Sequence, residues 1–282
     1  GEERMELGKK QKLVVVKTVD FGVYLGDRQD AGETDRVLLP GKEVPEGTGE
    51  GDMMEVFLYK DSSDRLIATT RTPGLMINQV GFLKVAQVTK IGAFLDWGLE
   101  KDLFLPYKEQ TKKVHEGEEV LVSLYIDKSS RLCATMKVYH YLKTNSPYIV
   151  GDMVTGVVYE QSDNFGVFVA VDGQYSGLIP KQEAQGSYKV GEELTFRVTQ
   201  VREDGKLNLS AKQKAHIQLH EDAQSVYEII QDFEGVLPFD DKASPEIIQR
   251  EFGLSKNAFK RAVGHLLKEE KIELKNHKIY IR

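Results

Sequence analysis

The chain has 282 residues, of which 40% are hydrophobic and 29% charged, with a formal net charge of −6. These proportions fit ordinary soluble domains, and no apolar run reaches the roughly 18 residues of a membrane-spanning helix. The single cysteine, Cys133, excludes an intrachain disulfide and is expected in a core. Residues 1–4 are charged and form no secretory segment. We therefore expect a cytoplasmic protein without a membrane partner.

The charge is distributed unevenly along the chain. Residues 256–282 carry eight Lys or Arg and three Glu, a net charge of +5, so the rest of the chain carries −11. A net negative charge argues against a nonspecific polyanion binder, but binding depends on the face that is presented. The C-terminal end is therefore the basic part of the chain.

A pattern of glycines and prolines repeats three times. The anchor glycines are Gly22, Gly92 and Gly166, and the prolines that follow them are Pro40, Pro106 and Pro180. The glycines are 70 and 74 residues apart, a period that corresponds to one whole small domain per repeat. Within each copy, alternating residues indicate half-buried strands, and Gly, Asn and Asp indicate hairpin turns. About five strands in about 70 residues favour a small closed barrel such as the OB-fold.

The third copy resembles an S1-type RNA-binding domain. The resemblance rests, in order, on Gly156-Val157-Val158, Phe165-Gly166-Val167-Phe168-Val169, Gly177-Leu178-Ile179, Val190-Gly191-Glu192 and Gly205-Lys206-Leu207-Asn208-Leu209-Ser210. In that family two aromatic residues around the glycine present their faces to RNA bases, and an Asp and an Arg lie near the last strand. The glycine permits a strand irregularity that brings both rings to one side. Such stacking is worth about 1–3 kcal/mol per base and tolerates any sequence.

The resemblance implies RNA-binding residues that differ among the copies. They are Phe21, Tyr24, Asp61 and Arg65 in the first, Phe94, Asp127 and Arg131 in the second, and Phe165, Phe168, Arg202 and Lys206 in the third. The second copy has Ile91 in place of one ring, with Trp97 as a further ring nearby, and a proline replaces a family His in all three. The third copy keeps both rings and is more basic, so we expect it to be the main RNA-binding barrel. The alternative is that the aromatics belong to the barrel cores, since strands favour aromatics in any case.

Beyond the repeats the pattern changes to helices. Residues 215–233 indicate a connecting helix, Ser244 and the proline after it begin a second helix that ends at Gly253, and Ser255 begins a third. Alternation within residues 272–281 then predicts a hairpin. Helix, short turn, helix and hairpin are typical of a winged helix, whose second helix usually enters the major groove.

The outward face of this domain predicts contact with nucleic acid. Its candidate residues are Lys256, Asn257, Lys260, Arg261, Lys275 and Lys278. These side chains can neutralise phosphates of RNA or DNA, and Arg261 and Asn257 are the candidates for reading bases. The alternative is a protein-contact module whose lysines are only solvated.

We therefore predict a multidomain fold of three all-β OB-fold (S1-like) barrels in tandem, followed by an α+β winged-helix domain. The expected bounds are 1–72, 73–143 and 144–213 for the barrels and 214–282 for the linking helix and winged helix. As a whole this arrangement resembles the conserved virulence factor B family of bacteria, which implies an RNA-binding regulator of gene expression. Single-stranded RNA is then the expected partner, lying across the third barrel and the winged helix. Tandem weak sites gain through effective concentration.

Two other functions stay open at this point. One is a transcription factor that binds duplex DNA through the winged helix, with the barrels as protein-contact modules; the other is a ribosome- or nuclease-associated adaptor. No Gly-rich phosphate loop, nucleophile elbow or carboxylate pair points to an enzyme, and no cofactor is expected. His216 and His220 are four residues apart on a predicted helix, but the sequence offers no third ligand, so we predict no metal site.

Overall fold

The computed structural model describes residues 5–184, 186 and 188–282, except the side chains of residues 212–217. The charged residues 1–4 and the His216 side chain therefore lie outside the described part of the chain. Two compact units are present, and each is described by itself. The first holds the described residues up to Leu194 and Val198–Leu209; the second holds Thr195–Arg197 and Ser210–Arg282. Among the described residues, none of the helices combines the length and apolar character needed to cross a bilayer.

Three closed five-stranded barrels are present, as predicted, and apart from Thr195–Arg197 and Ser210 their strands belong to the first unit. The first barrel consists of β1 Lys10–Val19, β2 Gly22–Gly26, β3 Val37–Pro40, β4 Met53–Lys60 and β5 Leu66–Thr69. The second consists of β6 Val80–Val88, β7 Gly92–Asp96, β8 Leu103–Pro106, β9 Glu119–Ile126 and β10 Leu132–Thr135. The third consists of β11 Met153–Ser162, β12 Gly166–Val171, β13 Tyr175–Pro180, β14 Glu193–Val201 and β15 Leu207–Ser210. Each closes in the same order, first to second to third to fifth to fourth strand, with a parallel pairing of the third and fifth.

The long first strand of each barrel carries a register shift at the same relative place. The shifts lie between Val15 and Lys17, between Val85 and Gln87, and between Val158 and Glu160. An extra residue in one strand bends it and increases its twist, and such bends allow a short sheet to close. The shift explains how one strand pairs with both the second and the fourth strand of its barrel.

Neighbouring barrels of this unit share apolar contacts. Trp97 of the second barrel meets Phe57 of the first edge to face, with ring centroids 5.8 Å apart. The Trp97 indole N–H donates to the Lys101 carbonyl at 2.6 Å, and the side chain is 3% exposed. Trp97 is therefore a core residue, and its ring lies near Phe94, with which it lines a cleft. Leu121 of the second barrel and Tyr159 of the third belong to another shared buried cluster.

The second unit contains the winged helix. Its elements are α1 Lys212–Asp232, β16 Val236–Leu237, α2 Pro245–Phe252, α3 Lys256–Lys268, β17 Ile272–Lys275 and β18 Lys278–Ile281. Both predicted caps are present: the Ser244 hydroxyl accepts from the Ile247 N–H, and the Ser255 hydroxyl accepts from the Ala258 N–H. Gly253 ends α2 at φ +66°, a conformation that glycine adopts readily. The two-residue β16 was not predicted; it completes a sheet in the order β16-β18-β17.

Candidate nucleic-acid interface

Each barrel is built around its anchor glycine. This glycine begins the second strand and pairs with the proline that ends the third: Gly22 with Pro40, Gly92 with Pro106 and Gly166 with Pro180. Gly166 has a φ of +128°, and a Cβ on it would stand 2.0 Å from the Ile179 carbonyl oxygen. At Gly22, with φ +151°, the corresponding distance to the Leu39 carbonyl is 2.2 Å. Only glycine fits such a site.

The aromatic pairs of the first and third barrels lie together on either side of this glycine. Phe21 and Tyr24 meet edge to face with ring centroids 6.2 Å apart, and Phe165 and Phe168 are tilted with centroids 6.4 Å apart. Phe21 is 59% exposed and Phe165 is 63% exposed, whereas Tyr24 and Phe168 are half-buried. Each pair therefore consists of one ring open to solvent and one ring packed against the barrel. A role in the core does not explain the exposed ring.

The second barrel obtains its second ring from a different strand. Ile91, 65% exposed, occupies the place of the outer ring. Phe94 pairs across β7 and β8 with Phe104, and the two ring centroids are 5.2 Å apart. The other barrels have leucines opposite their inner rings, Leu38 and Leu178. Phe104 was not among the predicted residues. Its signal in the sequence is a phenylalanine two residues before the repeated proline, where the other copies have leucine.

A cleft of about 350 Å³ opens beside these two rings at the junction of the first and second barrels. Its lining includes Phe94, Phe104, Lys60, Lys101 and Arg131. The Lys101 ammonium donates to the Asp61 carbonyl at 3.1 Å, and Arg131 forms an ion pair with Asp64. The cleft therefore places rings beside cations, as contact with a nucleotide's base and phosphate requires, but three carboxylates line it as well: Asp64, Asp102 and Asp127.

The predicted Asp and Arg residues of the first two barrels form hairpin turns and do not act as equivalent pairs. The Asp61 carboxylate accepts from the backbone N–H groups of Ser63 and Arg65, and Asp127 accepts from those of Ser129 and Arg131. The Arg65 guanidinium lies 3.1 Å from the Asp61 carboxylate, but Arg131 reaches across to Asp64 instead. Both aspartates are thus held by their own turns, and the two arginines differ in what they contact.

These hydrogen bonds lower the pKa of both aspartate carboxyl groups. Burial raises the pKa of Asp61, but the N–H donors of Arg65 and Ser63 and the Arg65 charge outweigh it, so the pKa is lowered overall. For Asp127, burial raises the pKa and the hydrogen bonds from Ser129 and Arg131 lower it below its usual value. Cys133, buried as predicted, has its thiol pKa raised to about 12 by burial and by Asp127. The aspartates are therefore ionised at neutral pH, whereas the thiol keeps its proton.

We call the aromatic pair of each barrel its ring face: Phe21 and Tyr24, Phe94 and Phe104, and Phe165 and Phe168. In the third barrel, a residue from the segment between β10 and β11 packs against this face. The Tyr139 ring lies 5.4 Å from that of Phe168, centroid to centroid. The Lys206 ammonium donates to the Tyr139 hydroxyl at 2.7 Å and stands 4.6 Å from its ring centroid. Arg202 forms an ion pair with Asp204 at 3.2 Å. Tyr139 therefore covers part of Phe168 and orients Lys206, leaving Phe165 as the open ring. Tyr139 was not among the predicted residues.

The predicted nucleic-acid-binding residues of the winged helix lie on α3 and beside the β17–β18 turn. Phe259, Ala262, Val263 and Leu266 are buried. Asn257, Lys260, Arg261, Lys275 and Lys278 are exposed, and Lys256 is half-buried. Within the described part of the chain none of these six forms an ion pair. Their charges are therefore available to an anionic partner.

Three domain families match the chain. Residues 7–71 and 79–137 match the S1 domain. Residues 141–213 match the second domain of the virulence regulatory factor CvfB, and residues 224–281 match the CvfB-like winged helix domain.

Curated relatives and a crystal structure are similar to the chain over most of its length. Uncharacterized protein YitL of Bacillus subtilis is 30% identical over 286 residues, covering 98% of this chain and 93% of the relative. Conserved virulence factor B of Staphylococcus haemolyticus is 31% identical over 245 residues, covering 81% of this chain and 79% of the relative. A Streptococcus pneumoniae multidomain protein with nucleic acid binding domains is 24% identical, with 98% of each chain covered and a TM-score of 0.48.

Proposed function

Because the chain belongs to the conserved virulence factor B family, we propose that it binds single-stranded RNA on the ring faces of its barrels and regulates gene expression through that binding. S1 and winged-helix domains are binding domains and not enzyme families, so the chain is a nucleic-acid-binding regulator. The choice of single-stranded RNA as the ligand rests on one observation. In the first and third barrels, a solvent-exposed aromatic ring lies beside a half-buried one.

The exposure of these rings supports a binding role on energetic grounds. Full burial of a phenylalanine side chain stabilises a fold by about 1.5–3 kcal/mol, most of which Phe21 and Phe165 forgo by standing 59% and 63% exposed. A base stacked on such a ring contributes about 1–3 kcal/mol whatever its identity. Bases are accessible in this way when a strand is single, since duplex bases are already stacked on one another.

Cations beside the rings supply the second requirement, which is contact with phosphate. Lys206 adjoins the ring face of the third barrel through Tyr139, and Lys60 and Lys101 line the cleft of the second. Neutralising a phosphate releases a counterion, so affinity through these residues falls as salt rises. We infer sites of modest individual affinity, because carboxylates lie beside the cations: Arg131 pairs with Asp64, and the Lys206 ammonium lies 3.8 Å from the Asp204 carboxylate.

The ring proposal is tested by measuring the Kd for a labelled single-stranded RNA of mixed sequence at fixed salt. Phe165→Ala removes the open ring of the third barrel and is expected to weaken binding by about 1–3 kcal/mol, roughly 5- to 150-fold. Ile149→Ala is the matched control. Ile149 is also an apolar side chain, it is 67% exposed, and it lies four residues before the first strand of the third barrel. Equal affinities of these two variants would reject stacking on Phe165.

The winged helix supports a second candidate, binding of duplex DNA, because its six cationic and amide side chains have no ion-pair partner in the described chain. Duplex DNA measured at the same salt separates the two candidates. A variant with Lys260→Ala and Arg261→Ala is expected to keep most of its affinity for single-stranded RNA. If duplex DNA instead binds more tightly than RNA, and Phe165→Ala has no effect on either, the DNA function is favoured.

A further inference from the structure

One cluster of ligating side chains in the second unit has no part in the proposed RNA binding. His220 of α1, His265 of α3 and Glu269 just after α3 place one ligand atom each within 4.8 Å of one another. The two imidazole rings meet edge to face, with centroids 5.2 Å apart. Nε2 of His265 and Oε1 of Glu269 are 2.9 Å apart. We call these three residues the His–Glu cluster.

The cluster has free ligand capacity. Nε2 of His265 is shielded from solvent and, within the described chain, makes no hydrogen bond, despite its closeness to the Glu269 carboxylate. Lys271 pairs with the other carboxylate oxygen, Oε2, at 3.2 Å, so Oε1 is left to the cluster. Imidazole nitrogens and carboxylate oxygens are the ligands that Zn²⁺ and similar ions take in proteins.

We propose that His220, His265 and Glu269 bind a divalent transition-metal ion of the Zn²⁺ type, with water as the fourth ligand. Ligand atoms at Zn²⁺ distances stand about 3.3 Å apart in a tetrahedron, and the His265–Glu269 pair already lies close to that separation. His220 is exposed, so its ring can turn toward the pair. The cluster opens on a cavity of about 670 Å³, which has room for the ion and its water.

The surroundings of the cavity fit a cation. Glu221 and Glu228 of α1 line the same space and add negative charge, against the single positive charge of Lys271. An ion held here would join α1 to α3, two helices that share the buried core of this unit. Since metal bound only by the folded chain stabilises it, the ion would raise the thermal stability of the winged helix that carries α3.

The experiment uses the full untagged chain, freed of metal by dialysis against a chelator, and titrates it with Zn²⁺ in a calorimeter. We expect one Zn²⁺ per chain and a higher unfolding temperature in its presence. Loss of even a supporting residue around a metal typically costs about 10- to 100-fold in affinity, so His220→Gln, His265→Gln and Glu269→Gln should each cost at least as much. His277→Gln is the control: His277 is 90% exposed on the β17–β18 turn and lies outside the cluster.

The proposal is overturned if the wild-type chain takes up no Zn²⁺, or if the three cluster variants bind it as well as His277→Gln does. Far-ultraviolet circular dichroism of each metal-free variant separates lost binding from lost folding. His220→Gln serves as the second safeguard, because that side chain is exposed and its replacement leaves the buried core intact. RNA affinity measured without Zn²⁺ is a separate readout, so failure of this site and failure of the RNA proposal are distinguishable.

Discussion

At the scale of single residues, the ring faces depend on backbone positions that accept only glycine. Gly22 and Gly166 sit at positive φ beside a carbonyl of the neighbouring strand. The sequence reveals this requirement because the glycine recurs in all three copies between the same kinds of neighbours. What the sequence does not reveal is the short distance to the carbonyl, which arises only when the second strand pairs with the third.

Gly166→Ala is therefore expected to destabilise the third barrel by about 3 kcal/mol, since strained backbone alone costs about 1–3 kcal/mol and the new Cβ would also stand 2.0 Å from the Ile179 carbonyl oxygen. Gly264→Ala is the matched control. It lies inside α3 with nothing within 4 Å of an added Cβ, and there alanine should stabilise by about 0.8–1 kcal/mol. Calorimetric unfolding measures both; a Gly166→Ala chain as stable as wild type would contradict the argument.

At the scale of elements, sequence pattern predicted the barrels, the helix caps and the hairpin, because each has a local signature. Ser244 and Ser255 lie directly before their helices, and the chemistry of a cap is contained within four residues. Features that depend on which strands become neighbours could not be predicted in this way. Phe104 joins Phe94 only through the register of β7 with β8, and Trp97 is buried because another barrel packs on it.

Phe104 gives a prediction at this scale. Replacing it by the residue of the other barrels, as Phe104→Leu, removes a ring but keeps an apolar side chain, and should weaken RNA binding by about 1 kcal/mol, the low end for one stacked base. Ile91→Phe should strengthen binding, because it adds a ring where the other copies have one and Ile91 is 65% exposed. Kd values for single-stranded RNA test both, and identical values for the two variants would show that the second barrel makes no stacking contact.

At the scale of the molecule, the three barrels of the first unit do not behave as modules on loose linkers. Phe57 packs on Trp97 across the first junction, and Leu121 and Tyr159 share a buried cluster across the second. Weak sites held at fixed spacing raise one another's effective concentration when a ligand is long enough to reach both. The acidic balance of residues 1–255 works against nonspecific attraction to RNA, so under the proposed function multiple stacking contacts would supply the affinity.

This arrangement predicts a dependence of affinity on RNA length. A strand that fills one barrel, on the order of 4–16 nucleotides, should bind weakly, and Phe21→Ala should leave its affinity for the third barrel unchanged. A strand that reaches both the first and third barrels should bind about 10²- to 10⁴-fold more tightly, and here Phe21→Ala should remove most of the gain. Fluorescence anisotropy with strands of increasing length measures this. Longer strands offer more binding positions, and the measured affinities are corrected for that number. If the corrected affinity does not change with length, a single barrel binds the RNA. A loss of affinity in Phe165→Ala would then show that this barrel is the third.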